Sequence, residues 1–363
     1  MERKRIDYFD LARGIGIILV IIGHIEYMPA ELHAFVISFH MPLFFVISGM
    51  LLSVNGEADK DLTTFVRKRA KGIMLPYLWF SIIYLIVYIF YYLIKDRPVM
   101  WQKAGINLAG TLTLNGISVL WFLPALFLSE MLFVFLAKKL RLFSLIPVII
   151  LFAAALCANT ILQQRYLIYS DKAFYMASLT VLRALICMFF IAFGYFSTEL
   201  AGRIKKLLPG ISGKTVAAID LFSGILLLVL VVFLSKINLI IDLRACSFGN
   251  PYVYFITAIL GSLSVILLSK SMEIIKNRKI LFPLRYLGRN SIIIMLTHLD
   301  LFVLYAAEVF AMHYNKKIST EYGTAFNVMT VCFVLIAEIF IIEIINRFFP
   351  FLIAKKKPEG RRS

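Results

Sequence analysis

Cysteine is scarce in this chain: Cys157, Cys187, Cys246 and Cys332, with no two in a Cys-x-x-Cys pair and three of them inside apolar runs. That excludes a disulfide framework and a thiolate zinc site, and no metal is expected. Acidic residues are also few, 21 against 38 lysines and arginines, and charged residues of both signs make up only 16%. The resulting net charge of +17 would suit nucleic acid, but the basic residues cluster between long apolar runs, which marks membrane topology instead. No nucleic-acid partner is expected. Low-complexity tracts, long linkers and internal repeats are absent, and so is any recognisable serine or cysteine nucleophile motif. The chain starts on MERKR, but the apolar run behind it continues into a full span, so no cleavable signal peptide is expected.

What is abundant is apolar surface. Hydrophobic residues make up 61% of 363 and the mean hydropathy is +0.87, against about 45–50% apolar residues in a soluble domain. The fold class is therefore an all-α integral membrane protein. About 20 apolar residues cross a bilayer as a helix, which places spans near 9–27, 33–54, 73–94, 117–137, 143–162, 177–199, 215–235, 251–270, 288–310 and 324–349. Residues 1–350 thus read as one ten-helix domain and 351–363 as a basic tail. With the N-terminus cytoplasmic, the inner segments hold 27 Lys and Arg and the outer ones 9. A threefold excess in short loops is a strong orienting signal, so both termini are expected in the cytoplasm. The chain is expected to be multi-pass in a cell membrane, the bacterial inner membrane, with the tail near anionic lipid headgroups.

Ionisable groups inside the bilayer are costly and mark function unless they are paired for packing. Residues 7–27, DYFDLARGIGIILVIIGHIEY, carry three. Eleven residues separate Arg13 from His24, which puts both on one helix face about 16 Å apart, and Asp10 can pair with Arg13 three residues on. Gly14, Gly16 and Gly23 thin the same helix for close approach. In the next span His40 precedes Met41-Pro42, where the proline is expected to break the helix and open a site. His24 and His40 fall at similar depth, a pattern suited to proton handling or acceptor binding. At the cytoplasmic mouth, Arg67, Lys68, Arg69 and Lys71 are either topology anchors or a polyphosphate clamp. Gly288-Arg289-Asn290-Ser291 opens span nine, where a helix N-terminus beside an arginine would form an anion site, and His298 lies deeper on the same span. Glu130 is buried in span four and needs a partner, while Trp121 and Phe122 would form an apolar wall. Arg183, Asp220, Asp300, Glu308, Glu338 and Glu343 read as structural.

Taken together, RIDYFDLARGIGIILVIIGH, FHMPLFFVISGMLL, VRKRAKGIMLPY, LWFLPALF, FFIAFGYFS and LGRNSIIIMLTH resemble, in family order, the membrane acyltransferase-3 family and its fucose-4-O-acetylase-like branch. The resemblance runs from the N-terminus to span nine. Its most specific part is an Arg, ten residues and a His in the first span, falling here on Arg13 and His24. The resemblance implies a ten-helix O-acyltransferase that takes an acyl group, usually acetyl, from cytoplasmic acyl-CoA and hands it to a hydroxyl of a cell-envelope carbohydrate or glycolipid. It further implies that His24 is catalytic, and that Arg13 and the basic segment before span three serve the CoA end. Many relatives carry an arginine where this chain has Gly72, so the cation nearest the membrane here is Lys71, and which residue of the loop grips phosphate stays open. Some members add an extracytoplasmic esterase-like domain, and none is expected here.

The residues fit that chemistry. A thioester is already activated, so the acceptor hydroxyl chiefly needs a base, and a His serves at neutral pH. Direct attack and an acyl-imidazole on His24 both remain open. The expected site is thus His24, Arg13 and Asp10 for catalysis; Arg67, Arg69, Lys71, Arg289, Asn290 and Ser291 for acetyl-CoA or another acyl-CoA; and His40, Trp121, Glu130 and His298 for the acceptor. The rival class is a proton-coupled transporter or flippase of an envelope precursor, with His24, His40 and Glu130 as relay.

Overall fold

The computed structural model describes residues 6–355, except 96, 97, 99, 141–143, 167–171, 208–209, 276–278 and 316–322. Most of the expected basic tail, 356–363, therefore lies outside the described residues. Among those described the chain is helical, with an isolated bridge between Asp242 and Ser247 as its extended pairing. In lipid a backbone must satisfy its own hydrogen bonds, which a helix does within one segment. Side chains cap some of the helix starts. Asp61 accepts from Thr64 N at the start of α4 (Leu62–Arg69), and Asn250 accepts from Val253 N at the start of α11 (Pro251–Ser271).

Among the described residues eight helical stretches are long and apolar enough to cross a membrane. They are Ala30–Val54, Leu62–Ile94, Ser118–Leu140, Leu145–Gln164, Phe174–Leu207, Gly213–Ser235, Pro251–Ile274 and Thr324–Phe348. The two other expected spans take shorter forms. Span one is α1 (Asp7–Gly23), 17 residues long. Span nine is interrupted into α12 (Phe282–Arg289), α13 (Ser291–Thr297) and α14 (Val303–Asn315). These two irregular stretches carry Asp10, Arg13, His24, Arg289, Asn290, Ser291 and His298.

Ala30–Val54 forms the centre, with 78% of its apolar window buried, whereas Gly213–Ser235 (α10), at 11%, presents nearly all of its surface outward. The central stretch is α2 (Ala30–Ile37) followed by α3 (His40–Val54). The expected break at Pro42 falls earlier, at Ser38–Phe39. Pro42 sits in the first turn of α3, where its missing N–H has no intrahelical acceptor to lose. In the membrane small residues let backbones touch, and two glycine pairs do so here. Gly49 of α3 and Gly194 of α9 (Lys172–Leu207) lie against each other's helix, so an added Cβ would strike the Ile191 or Val46 carbonyl. Gly14 of α1 and Gly288 of α12 do the same against the Leu284 and Asp10 carbonyls. The second contact presses α12 onto the start of α1 and so positions the site.

Candidate functional site

The α1–α12 contact brings together charges 279 residues apart. Arg289 Nε lies 3.0 Å from Asp10 Oδ2, and Arg13 Nη1 lies 3.8 Å from Asp10 Oδ1. Asp10, only 2% exposed, therefore sits between two guanidiniums. The expected Asp10–Arg13 pairing is present, and Arg289 joins it from across the fold. A third arginine arrives from α4. Arg69 Nε stands 3.0 Å from Glu130 Oε2, close enough for an ion pair, although the N–H is not aimed along a hydrogen bond. Glu130, on α7 (Phe122–Leu140), is wholly buried and accepts from Ser48 Oγ through its other oxygen. Directly after Arg69 the chain makes a π-helical turn, Ala70–Met74. Such turns widen the helix and recur at functional sites.

Arg13, Arg69, Arg289 and Ser291 line one cavity of about 260 Å³, with Gly72 at its edge. Its walls are apolar: Phe44, Phe122, Leu126, Ile292 and Met295. Three guanidiniums against the carboxylates of Asp10 and Glu130 leave the site cationic, and guanidinium forks suit phosphate oxygens. A neighbouring cavity of about 350 Å³ is lined by Lys279, Phe282, Arg285 and Arg289, so Arg289 serves both. Arg285 Nη2 lies 3.5 Å from Asp7 Oδ2. Reading the sequence missed Lys279, Arg285 and Ser48. The four-residue spacing of Arg285 and Arg289 on one helix face was the available signal.

The rest of the basic segment does not converge. Arg67 and Lys71 are exposed and do not line the cavity. Lys68 Nζ is held by Glu57 Oε1 at 2.7 Å. Burial alone would raise the Glu57 carboxyl, but hydrogen bonds and charge from Lys60 and Lys68 hold it below the usual carboxylate range. Asn290 also departs from expectation. Its side chain donates to Tyr286 O and accepts from Asn346 Nδ2. The stretch 288–291 is no open helix start, because α12 runs into it and Asn290 N already donates to Tyr286 O and Leu287 O. Its cationic character comes from Arg289.

At the deep end, α1 stops at Gly23 and His24 caps it with φ −106° and ψ 0°, in the sparsely allowed bridge region where active-site residues recur. His24 keeps an exposed side chain. Its ring centroid lies 5.3 Å from that of His298. His40 approaches from α3: its ring atoms Cε1 and Nε2 lie 3.9 Å from where a Cβ on Gly23 would sit. The nearness of His24 and His40 was legible in span arithmetic, while the His24–His298 pair was not. Trp121 leaves the expected wall. It lies beneath the Arg183 guanidinium, 5.1 Å from ring centroid to Cζ, and only Phe122 faces the cavity. Arg183 is the buried structural group expected of it, donating to Arg244 O and to Asn115.

The family model described as an acyltransferase domain, acyltransferase-3, matches residues 6–344. A stretch of 132 residues is 35% identical to the Nodulation protein NolL of Mesorhizobium japonicum and covers 33% of this chain and 33% of that protein. The chain thus spans about a third of the length of this curated relative. No solved structure matches. With nearly its whole length matched, the chain belongs to the acyltransferase-3 family.

Proposed function

We propose that this acyltransferase moves an acyl group, acetyl in the first instance, from acyl-CoA to a hydroxyl of a cell-envelope carbohydrate or glycolipid, in the bacterial cytoplasmic membrane. The observation that carries the reading is the convergence of Arg13, Arg69 and Arg289 on one apolar-walled cavity. CoA is chemically of that kind: charged phosphates at one end, a long uncharged arm at the other. In this reading the three arginines hold the phosphates, and Phe44, Phe122 and Met295 enclose the arm. Ser291, Ile292 and Met295 of α13 line the cavity, and His298 follows on the same chain segment beside His24. That gives the arm a direction, from the arginines toward the imidazoles.

His24 acts as the general base. It takes the proton of the acceptor hydroxyl as the oxygen bonds to the acyl carbon; the C–S bond breaks and the thiolate leaves with that electron pair. Asp10 and Glu130 do not touch the reacting atoms in this scheme. They hold Arg289, Arg13 and Arg69 in place. The purified protein in lipid nanodiscs, given radiolabelled acetyl-CoA and envelope glycans as acceptor, should release free thiol and label the glycan. His24→Ala should lower transfer about 10²–10⁴-fold, the usual worth of a general base, with binding of acyl-CoA retained. A His24→Ala variant with more than a tenth of the activity would sink the role. A transporter or flippase would release no thiol.

A further inference from the structure

Two helices stop at the same place in the fold, each ending on a histidine. His24 is the C-cap of α1 and His298 the C-cap of α13. The two rings differ in what they are free to do. His24 is exposed, whereas His298 is fully buried. His298 Nδ1 lies 2.8 Å from Ile294 O. A carbonyl only accepts, so Nδ1 carries the proton, and Nε2 of the neutral ring is then a bare acceptor. That buried Nε2 has no hydrogen-bond partner.

Hydrogen bonds tie the chain down on both sides of His298. On one side Tyr84 of α5 (Leu75–Ile94) donates to Leu296 O. On the other, Thr297 Oγ1 donates to Glu338 Oε2 of α15 (Thr324–Phe348) at 2.7 Å. Beyond it, Leu304 N donates to His298 O at 2.8 Å, closing the break between α13 and α14. Phe302 inside that break takes φ +62° and stacks on Tyr91 with centroids 5.5 Å apart. A bulky residue at positive φ is strained and persists only where its surroundings impose it.

We propose that His298 is the positioning residue for His24: its Nε2 accepts the N–H of the His24 ring, which fixes the His24 tautomer and leaves the other nitrogen as base. This rests on the reading of His24 given above. Two imidazoles joined nitrogen to nitrogen at about 2.9 Å have centroids about 5 Å apart, and the observed 5.3 Å with a 42° tilt needs only a turn of the exposed His24 ring. Neither helix has to move.

The test compares His298→Phe, which keeps an aromatic ring and removes the acceptor, with His298→Gln, which returns an acceptor near the position of Nε2. His298→Phe should lower kcat by about 10- to 10³-fold, less than loss of the base itself, with KM for acyl-CoA unchanged. His298→Gln should recover part of it. Ring-¹⁵N NMR, with the His24 signals assigned by their loss in His24→Gln, should show one His24 tautomer in the wild type and a mixture in His298→Phe. The NMR readout needs no turnover, so it judges the pairing even if His24→Ala were to stay active and the base reading fail. A single unchanged His24 tautomer in His298→Phe, or a mixture already in the wild type, would overturn the proposal. If His298→Phe does not fold, the same spectrum of His298→Gln, with acyl-CoA binding as the check on folding, decides in its place.

Discussion

Gly288→Ala tests whether the close approach of α1 and α12 is what puts Arg289 at the cavity. A Cβ at this position would collide with the Asp10 carbonyl and crowd Gly14 N, both backbone atoms that cannot swing aside. The helices must therefore part, and overpacking of this kind costs about 1–3 kcal/mol. The first interaction to lengthen is Arg289 Nε to Asp10 Oδ2, now 3.0 Å. Once Arg289 is withdrawn, a phosphate loses a charge-assisted hydrogen bond of about 1.5–3 kcal/mol. At 1.4 kcal/mol per tenfold, that is about a 10- to 100-fold weaker grip. The expected result is a KM for acetyl-CoA raised by that factor, an unchanged KM for the acceptor, and a lowered Tm in detergent. Gly72→Ala is the matched control, since nothing lies within 4 Å of its Cβ, and it should leave KM alone. Arg289→Lys covers the case in which Gly288→Ala does not fold: it keeps the charge and loses the fork, so KM should rise in the same sense. A folded Gly288→Ala with a wild-type KM would refute the reasoning, because the glycine contact would then not position Arg289.

Three further outcomes follow from the same contacts. Arg69→Lys should raise KM for acyl-CoA through an interaction of about 1–3 kcal/mol, whereas Arg67→Gln and Lys71→Gln should be silent in the same steady-state assay, because neither side chain lines the cavity. Arg183→Met should lower the unfolding midpoint rather than alter KM. It strands the Arg244 and Asn115 carbonyls, at about 1–3 kcal/mol for each buried acceptor left unsatisfied. A reporter fused after Ser363 should read cytoplasmic and one inserted between Lys316 and Thr320 external, from the excess of inner Lys and Arg. An external C-terminal reporter would overturn the orientation.

The sequence by itself determined the class and the solvent of this protein. A chain this apolar must bury its backbone hydrogen bonds locally, so helices across a bilayer follow from composition, and the Arg13–His24 spacing on α1 follows from helical periodicity. The Asp10–Arg13 pair was legible for the same reason, since three residues along a helix are neighbours. What the sequence left undecided was which of many equivalent cations matter. Arg67, Arg69 and Lys71 are alike on paper. Only packing separates them, because the helical turn and the π-turn that follows aim Arg69 at Glu130 and leave the others exposed. Arg289 meets Asp10 because two glycines 274 residues apart let two backbones touch. His298 meets His24 because span nine breaks where its last turn is tied to α5 and α15. Periodicity acts over a few residues along the chain. Contacts between distant segments depend on how small residues and buried hydrogen bonds let the helices settle, and that was decided by the tertiary structure.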